Sequence, residues 1–171
     1  HIKNFKNLKG VAHAKSEIIN NIVEDGSIIL NADDKFFKFF KSLSKKKKLR
    51  IISFGINKKS NVSLINLKSG KFNSVIYIKN NEKKLKFIIK KNLENYIYNI
   101  LSTLAVISVY FDLEKLDKFF FNDYQFPEGR GDLNLVKFNK KQINLIDESY
   151  NSNPLSLQFA LNKLNNLNTK S

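Results

Sequence analysis

The sequence predicts an α/β fold, and three observations carry that prediction. Short apolar runs, Ser27–Leu30 and the Leu145-Ile146 pair, each stop at a cluster of carboxylates and amides, as a strand does where it leaves a sheet. Two longer stretches, His1–Ile22 and Glu94–Phe111, repeat apolar residues at spacings of three and four, the period of a helix with one buried face. Between them, Asn61–Lys91 breaks into apolar strand-like runs punctuated by Lys-Ser-Gly-Lys and Asn-Asn-Glu, the pattern of an antiparallel meander. In open α/β sheets ligands gather at the carboxyl ends of strands, so the polar clusters there are the first candidates for function.

In chain order, Ile2, Phe5, Leu8, Val11, Ala14, Ile18 and Ile22 predict a helix, interrupted near Gly10, with Lys15 in its middle. Glu24-Asp25-Gly26 is a turn, Ser27–Leu30 a strand, and Asn31-Ala32-Asp33-Asp34 the polar exit from it. Phe36–Leu43 is expected as a short helix, Lys45–Lys48 as a charged surface loop, and Arg50–Gly55 as the next buried strand. The meander is expected at the side of the main sheet. Ile97, Leu101, Leu104, Ala105, Ser108 and Val109 then line one side of the most apolar helix, whose first turn holds Asn95, Tyr96 and Asn99. Asp112–Phe121 is expected as a further helix with Leu113, Leu116 and Phe120 inward.

Phe126-Pro127-Glu128-Gly129-Arg130-Gly131 is the Pro/Gly cluster of the chain, and the domain boundary is placed there: residues 1–127 in one domain, 128–171 in linker and second domain. Leu133–Phe138 and Gln142–Ile146 predict a hairpin around Asn139-Lys140-Lys141. It leads into Leu145–Pro154, the end of a buried strand that turns into a helix N-terminus. Asn153 suits the N-cap, and Pro154 the first helical position, where a missing N–H costs nothing. Leu157, Ala160, Leu161 and Leu164 share one face of the helix that follows. Read without any relative, this is an ordinary strand–turn–helix joint.

Composition narrows the class. The 171 residues carry a formal charge of +15, which invites a nucleic-acid reading focused on Lys45–Lys48. Against it, lysines are spread along the whole chain, and arginine, the residue with the rigid phosphate-binding fork, occurs only at Arg50 and Arg130. The absence of Cys suits a cytoplasmic location and excludes disulfides. The longest apolar candidate, Ile100–Phe111, falls short of the roughly 18–20 residues that cross a bilayer. A first residue of His rather than Met is read as an internal piece of a longer protein.

Asp147-Glu148-Ser149-Tyr150-Asn151-Ser152-Asn153-Pro154 resembles the opening of the C-terminal domain in Mur ligases. The match is strongest in the branch that joins D-alanyl-D-alanine to UDP-N-acetylmuramoyl-tripeptide, where Asp-(Asp/Glu)-Ser-Tyr-Asn-Ala-Asn-Pro is characteristic. Other stretches agree in order. His1 and Lys15-Ser16-Glu17-Ile18 resemble the family's His…Ala-Lys-(Gly/Ser)-Glu-Ile, and Asn31–Asp34 its Asn-x-Asp-Asp. Asn99 matches the Asn of Gly-x-His-x-x-x-Asn-x-Leu-Ala, although Asn95 stands where His is usual. Gly129-Arg130-Gly131 resembles the Pro-x-Gly-Arg-(Gly) linker.

The resemblance implies the second half of a P-loop-type central ATPase domain with a small antiparallel meander, followed by the start of a Rossmann-like C-terminal domain. The phosphate-binding loop itself is absent, since Gly70-Lys71 is followed by Phe72; it is expected upstream of His1. Implied ligands are ATP and two magnesium ions, with UDP-N-acetylmuramoyl-tripeptide and D-alanyl-D-alanine as substrates, a monomeric full-length enzyme, and no nucleic acid or membrane. His1 and a carbamylated Lys15 would serve the metals; carbamylation needs a neutral amine, which partial burial favours. Asn99 and position 95 would lie near the adenine and Arg130 at the phosphates. Glu148, or its neighbour Asp147, would take the ribose, with Tyr150, Asn151 and Asn153 lining an interdomain cleft. A ligase of the same superfamily adding another amino acid or glutamate, a basic nucleic-acid binder, and a non-catalytic relative are the competing readings.

Overall fold

A computed structural model describes residues 7–56, 59–129, 132–139, 141–147, 149–150, 157–158, 160–162 and 164–165. The chain forms two compact units, His1–Asn122 and Asp123–Ser171. The Pro/Gly cluster thus falls inside the second.

The first unit is built on one five-stranded sheet, ordered β1 (Ser27–Asn31), β2 (Arg50–Gly55), β3 (Val62–Lys68), β4 (Asn73–Asn80) and β5 (Lys83–Lys90). β1, β2 and β3 run parallel, and β3, β4 and β5 antiparallel. The meander thus lies at the side of the main sheet, as expected, and is joined to it through β3. Its junction is narrow, for β2 and β3 pair only at Phe54↔Val62 and Gly55↔Ser63. Asn61 extends it: its Oδ1 accepts from the Ser53 backbone N–H at 2.9 Å and from Ser53 Oγ at 2.8 Å, supplying the lateral partner a longer β3 would have given.

Helices cover both faces. On one, α1 (Leu8–Asn21) and α2 (Phe37–Lys46) bury Ile19 and Leu43 against Ile28, Leu30, Leu49 and Ile51. His13 of α1 meets Phe39 of α2 edge to face, ring centroids 4.8 Å apart. Residues of opposite parity, such as Ile52, are buried as well, and α3 (Ile97–Ile107) lies against β1, β2 and β3, burying Ile100, Leu101, Leu104 and Ala105. The outer strand β5 is capped by the chain after α3, where the Ile88 N–H donates to the Lys118 carbonyl at 2.7 Å and Phe87 packs on Phe121.

Several local expectations change. Gly10 does not interrupt α1 but lies in its first turn, because Asn7 is the N-cap and its Oδ1 accepts from the Gly10 N–H at 3.0 Å. In the Glu24–Gly26 turn it is Asp25, not the glycine, that takes the left-handed conformation (φ 60°). Lys45 and Lys46 belong to the last turn of α2, where cations suit the helix dipole, so the first half of the expected charged loop is helix and Lys47-Lys48 the turn that follows. Lys91–Tyr96 form a 3₁₀ segment, and α3 starts only at Ile97. Residues 112–121 make a single 3₁₀ turn, Leu113–Lys115, followed by turns. The reason is competition: Asp112 Oδ1 binds the Glu114 N–H and Asp117 Oδ1 the Phe119 N–H, each closing a local turn in place of a helical bond. Phe121, rather than Phe120, is then the buried ring.

The second unit contains the predicted hairpin, β6 (Asp132–Phe138) with β7 (Lys141–Asp147), turned through Asn139 at φ 48°. Leu145, expected in a buried strand, is exposed, as are Leu157, Leu161 and Leu164; the last three are helical. Gly129 (φ 74°) touches the residues after β7: its carbonyl accepts from the Tyr150 N–H at 3.1 Å, and a Cβ there would meet that nitrogen at 2.9 Å. No helix among the described residues is long and apolar enough to cross a membrane.

Candidate functional site

The carboxyl ends of β1 and β2 form a crest above which the first turn of α3 arrives. Asn31 closes β1, and its Oδ1 accepts from the Asp33 N–H at 2.9 Å, turning the chain out of the sheet. The Ala32 N–H donates to the Phe54 carbonyl at 2.8 Å, fixing that turn to β2. Asp33 then becomes a latch. Its Oδ2 accepts from the Ile56 N–H at 2.6 Å and from the Tyr98 hydroxyl at 3.2 Å, joining both strand exits to α3. Gly55 permits this, since a Cβ at that position would overlap the Asp33 carboxylate. Burial, followed by the charge and hydrogen bond of Asp33, pushes the Tyr98 hydroxyl above its ordinary pKa, so it remains the donor.

Beside the latch lies a depression of about 330 Å³ lined by Asn31, Phe54, Tyr98, Asn99, Ser102 and Thr103. Two aromatic rings, two amides and two hydroxyls surround it, and none of these six side chains is charged. That set matches a planar heterocycle with polar edges better than a phosphate or carboxylate.

Of the residues singled out from the sequence, Asn99 and, from the Asn31–Asp34 stretch, Asn31 line this depression. Asn95 is exposed in the 3₁₀ segment and is not among the lining residues. Lys15 is exposed on α1, so the described residues do not provide the burial expected to favour its neutral form. Among the described residues no three His, Asp or Glu side chains converge to hold a metal. Asp147, at the end of β7, accepts from the Ser149 N–H at 2.9 Å; the Ser149 hydroxyl and N–H hold its carboxyl below the usual range. Tyr150 is exposed. His1, Arg130, Glu148, Asn151 and Asn153 lie outside the described residues.

Sequence reasoning missed two clusters. The Asp33–Gly55–Tyr98 latch had half a signal, the polar exit from β1, but nothing marked Tyr98 as its partner. The second lies in the segment that precedes α3. There Glu94 accepts from Ser69 and Ser74 through Oε1 and from Lys91 Nζ at 2.9 Å through Oε2, tying the 3₁₀ segment to the β3–β4 turn. No spacing rule links residues so far apart in sequence.

These features define a class first: an α/β domain with its ligand-type depression over the ends of parallel strands, continued by a second, hairpin-bearing unit. Residues 1–107 match the family model for the Mur ligase middle domain. The chain belongs to the Mur ligase family. It is 30% identical to a UDP-N-acetylmuramoyl-tripeptide–D-alanyl-D-alanine ligase of Buchnera aphidicola over 98% of its own length and 35% of that protein. A shorter match, 34% identical over 67 residues (39% of this chain, 14% of that protein), is to a UDP-N-acetylmuramate–L-alanine ligase of Borrelia garinii. Solved structures share the fold: MurF from Acinetobacter baumannii (TM-score 0.73, 23% identity, 92% of this chain and 33% of that one) and the MurF ligase of Thermotoga maritima in complex with ADP (TM-score 0.68, 16% identity, 92% and 35%). The chain spans about a third of the length of these relatives.

Proposed function

We propose that this chain is part of an ATP-dependent ligase that joins D-alanyl-D-alanine to UDP-N-acetylmuramoyl-tripeptide in the assembly of peptidoglycan precursors. The observation that carries this is the uncharged, aromatic-and-amide depression at the crest of β1 and β2, containing Asn99, in a chain of Mur ligase descent. ATP is a substrate here. Its γ-phosphoryl would pass to the terminal carboxylate of the tripeptide, breaking the β–γ P–O bond and releasing ADP. The amine of D-alanyl-D-alanine would then form the C–N bond as phosphate leaves and the amine's proton passes to solvent or a base.

In this reading the crest binds and orients the base through Asn31 and Asn99, while residues 1–127 supply the ATPase part and 128–171 the linker and the start of the C-terminal domain. Arg130 would set its guanidinium fork on the phosphates. Asp147 or Glu148 would accept from the ribose hydroxyls, and Tyr150, Asn151 and Asn153 would line the substrate cleft. Asn95 would lie at the rim of the adenine site. Magnesium, when bound, would neutralise phosphate charge, held by His1 and by a carbamate on Lys15; an imidazole and a carbamate oxygen suit a divalent cation. The enzyme would act in the cytoplasm as a monomer.

The test is product analysis with the full-length ligase. Formation of the pentapeptide product, one phosphate per amide and only with ATP present, is expected from the two peptide substrates. Turnover of a different amino acid in place of D-alanyl-D-alanine would move the chain to another branch of the family.

A further inference from the structure

Tyr98 and Asn99 leave the first turn of α3 side by side into the same depression, yet the reading so far employs only Asn99. Tyr98 is the better fixed of the two. Its hydroxyl is bound to Asp33 Oδ2 at 3.2 Å, and Asp33 is itself held by the Ile56 N–H and by the turn at Asn31. A tyrosine with a free hydroxyl would choose among rotamers; this one has its ring direction set at the far end. Tyr98 is 39% exposed, so it remains open to a ligand, and half-buried Phe54 lines the same depression.

We propose that Tyr98 is a base-contact residue, its ring pinned by Asp33 so that it offers a ready aromatic wall to the heterocycle of a purine nucleotide. This rests on the nucleotide reading above and deepens it. Because every base has a π face, stacking supplies affinity without choosing among bases. Choice falls to the amide edge of Asn99. Tyr98 therefore carries strength and Asn99 selectivity, a division that separates a stacking wall from a merely structural tyrosine.

The experiment measures dissociation constants of the full-length ligase for ATP, GTP and inorganic tripolyphosphate, which has the charges but no base. Tyr98→Ala is expected to weaken ATP and GTP by a common factor of about tenfold and to leave tripolyphosphate unchanged. Tyr98→Phe, which keeps the ring and loses the tether, should weaken ATP by no more than about threefold. Tyr98→Leu keeps apolar bulk without a π face; should the alanine variant fail to fold, it takes its place and must show the same separation of ATP from tripolyphosphate. An unchanged ATP constant in folded Tyr98→Leu, or equal losses for ATP and tripolyphosphate, overturns the proposal. A wild-type enzyme that binds ATP no more tightly than tripolyphosphate overturns the nucleotide reading of the depression itself, and this proposal with it.

Discussion

Removing the carboxylate of Glu94 isolates the interaction that holds the 3₁₀ segment in front of α3. Glu94 is only 16% exposed and Ser74, which it accepts from, is fully buried. Burial alone would raise the proton affinity of Glu94, but hydrogen bonds from Ser69, Ser74 and Lys91, with the Lys91 charge, outweigh it and lower its pKa below the ordinary 4.5. In Glu94→Ala the Ser74 hydroxyl would keep only a 3.4 Å contact from the Gly70 N–H, leaving its own proton without an acceptor. An unpaired buried donor costs about 1–3 kcal/mol, and the Lys91 pair, whose lysine is 45% exposed, adds about 0–1 kcal/mol, so the expected loss is about 1–4 kcal/mol. Urea denaturation at neutral pH reads this directly. In a Ser74→Ala background the cost of Glu94→Ala should shrink by at least about 1 kcal/mol. The sign with pH is fixed as well. A depressed carboxylate contributes stability that is present above its unfolded-state pKa and lost as pH falls through the folded-state value. Wild type should therefore converge on Glu94→Gln upon acidification. Additive single and double mutants, or a gap between wild type and Glu94→Gln that persists in acid, would refute the argument.

Gly55→Ala should destabilise the first unit by about 1–3 kcal/mol in thermal or urea unfolding, because the new methyl group displaces Asp33 from Ile56 and Tyr98 and strains a backbone at φ 157°; in an Asp33→Ala background the clash is relieved and only the backbone part of the cost remains. Lys15→Ala in the full-length enzyme is expected to reduce ligation to near background, without rescue by added bicarbonate; wild-type-like turnover would remove the metal role proposed for Lys15. Arg130→Lys should lower kcat by about tenfold or more, since an ammonium cannot reproduce a two-pronged contact with phosphate oxygens. Unchanged turnover there would leave the Gly129–Gly131 stretch as a hinge.

What could be read beforehand depended on whether the cause was local. β1, β2 and the three strands of the meander each carry their own pattern of apolar residues and turn amides; β1 and β2 emerge within a residue of the expected bounds, and the meander fills the expected stretch. α3 was legible for the same reason. The segment after it was not: Leu113, Leu116 and Phe120 have helical spacing, but Asp112 and Asp117 can each satisfy a nearby N–H without a helix, and apolar spacing takes no account of that alternative. The extent of the sheet was hidden too, because Phe54↔Val62 pairing depends on where two distant strands meet. In the depression, Asn99 was reached through resemblance, whereas Tyr98 belongs to no motif and becomes visible only once Asp33, far away in sequence, is beside it.

That distant pairing also explains why the crest is ready for a ligand. Phe54 is the penultimate residue of a strand whose partner on one side, β3, has barely begun, and such an end would ordinarily fray. It is held instead from both flanks. On one, the Ala32 N–H binds the Phe54 carbonyl; on the other, Asn61 takes the place of a missing strand residue beside Ser53, and Asn61 is in turn fixed by Asn81 through the Asn81 N–H at 2.7 Å and its own Nδ2 at 3.2 Å. Tyr98, on the same depression, is tied by Asp33. The backbone that carries Phe54 and the hydroxyl of Tyr98 are thus both held by hydrogen bonds within the protein. Side chains already fixed need not be ordered on binding, which spares about 0.5–1.5 kcal/mol for each rotamer-rich side chain that a looser site would have to immobilise. In the proposed reading a base would rest on those terms, beside a short β2–β3 junction that Asn61 bridges through its side chain.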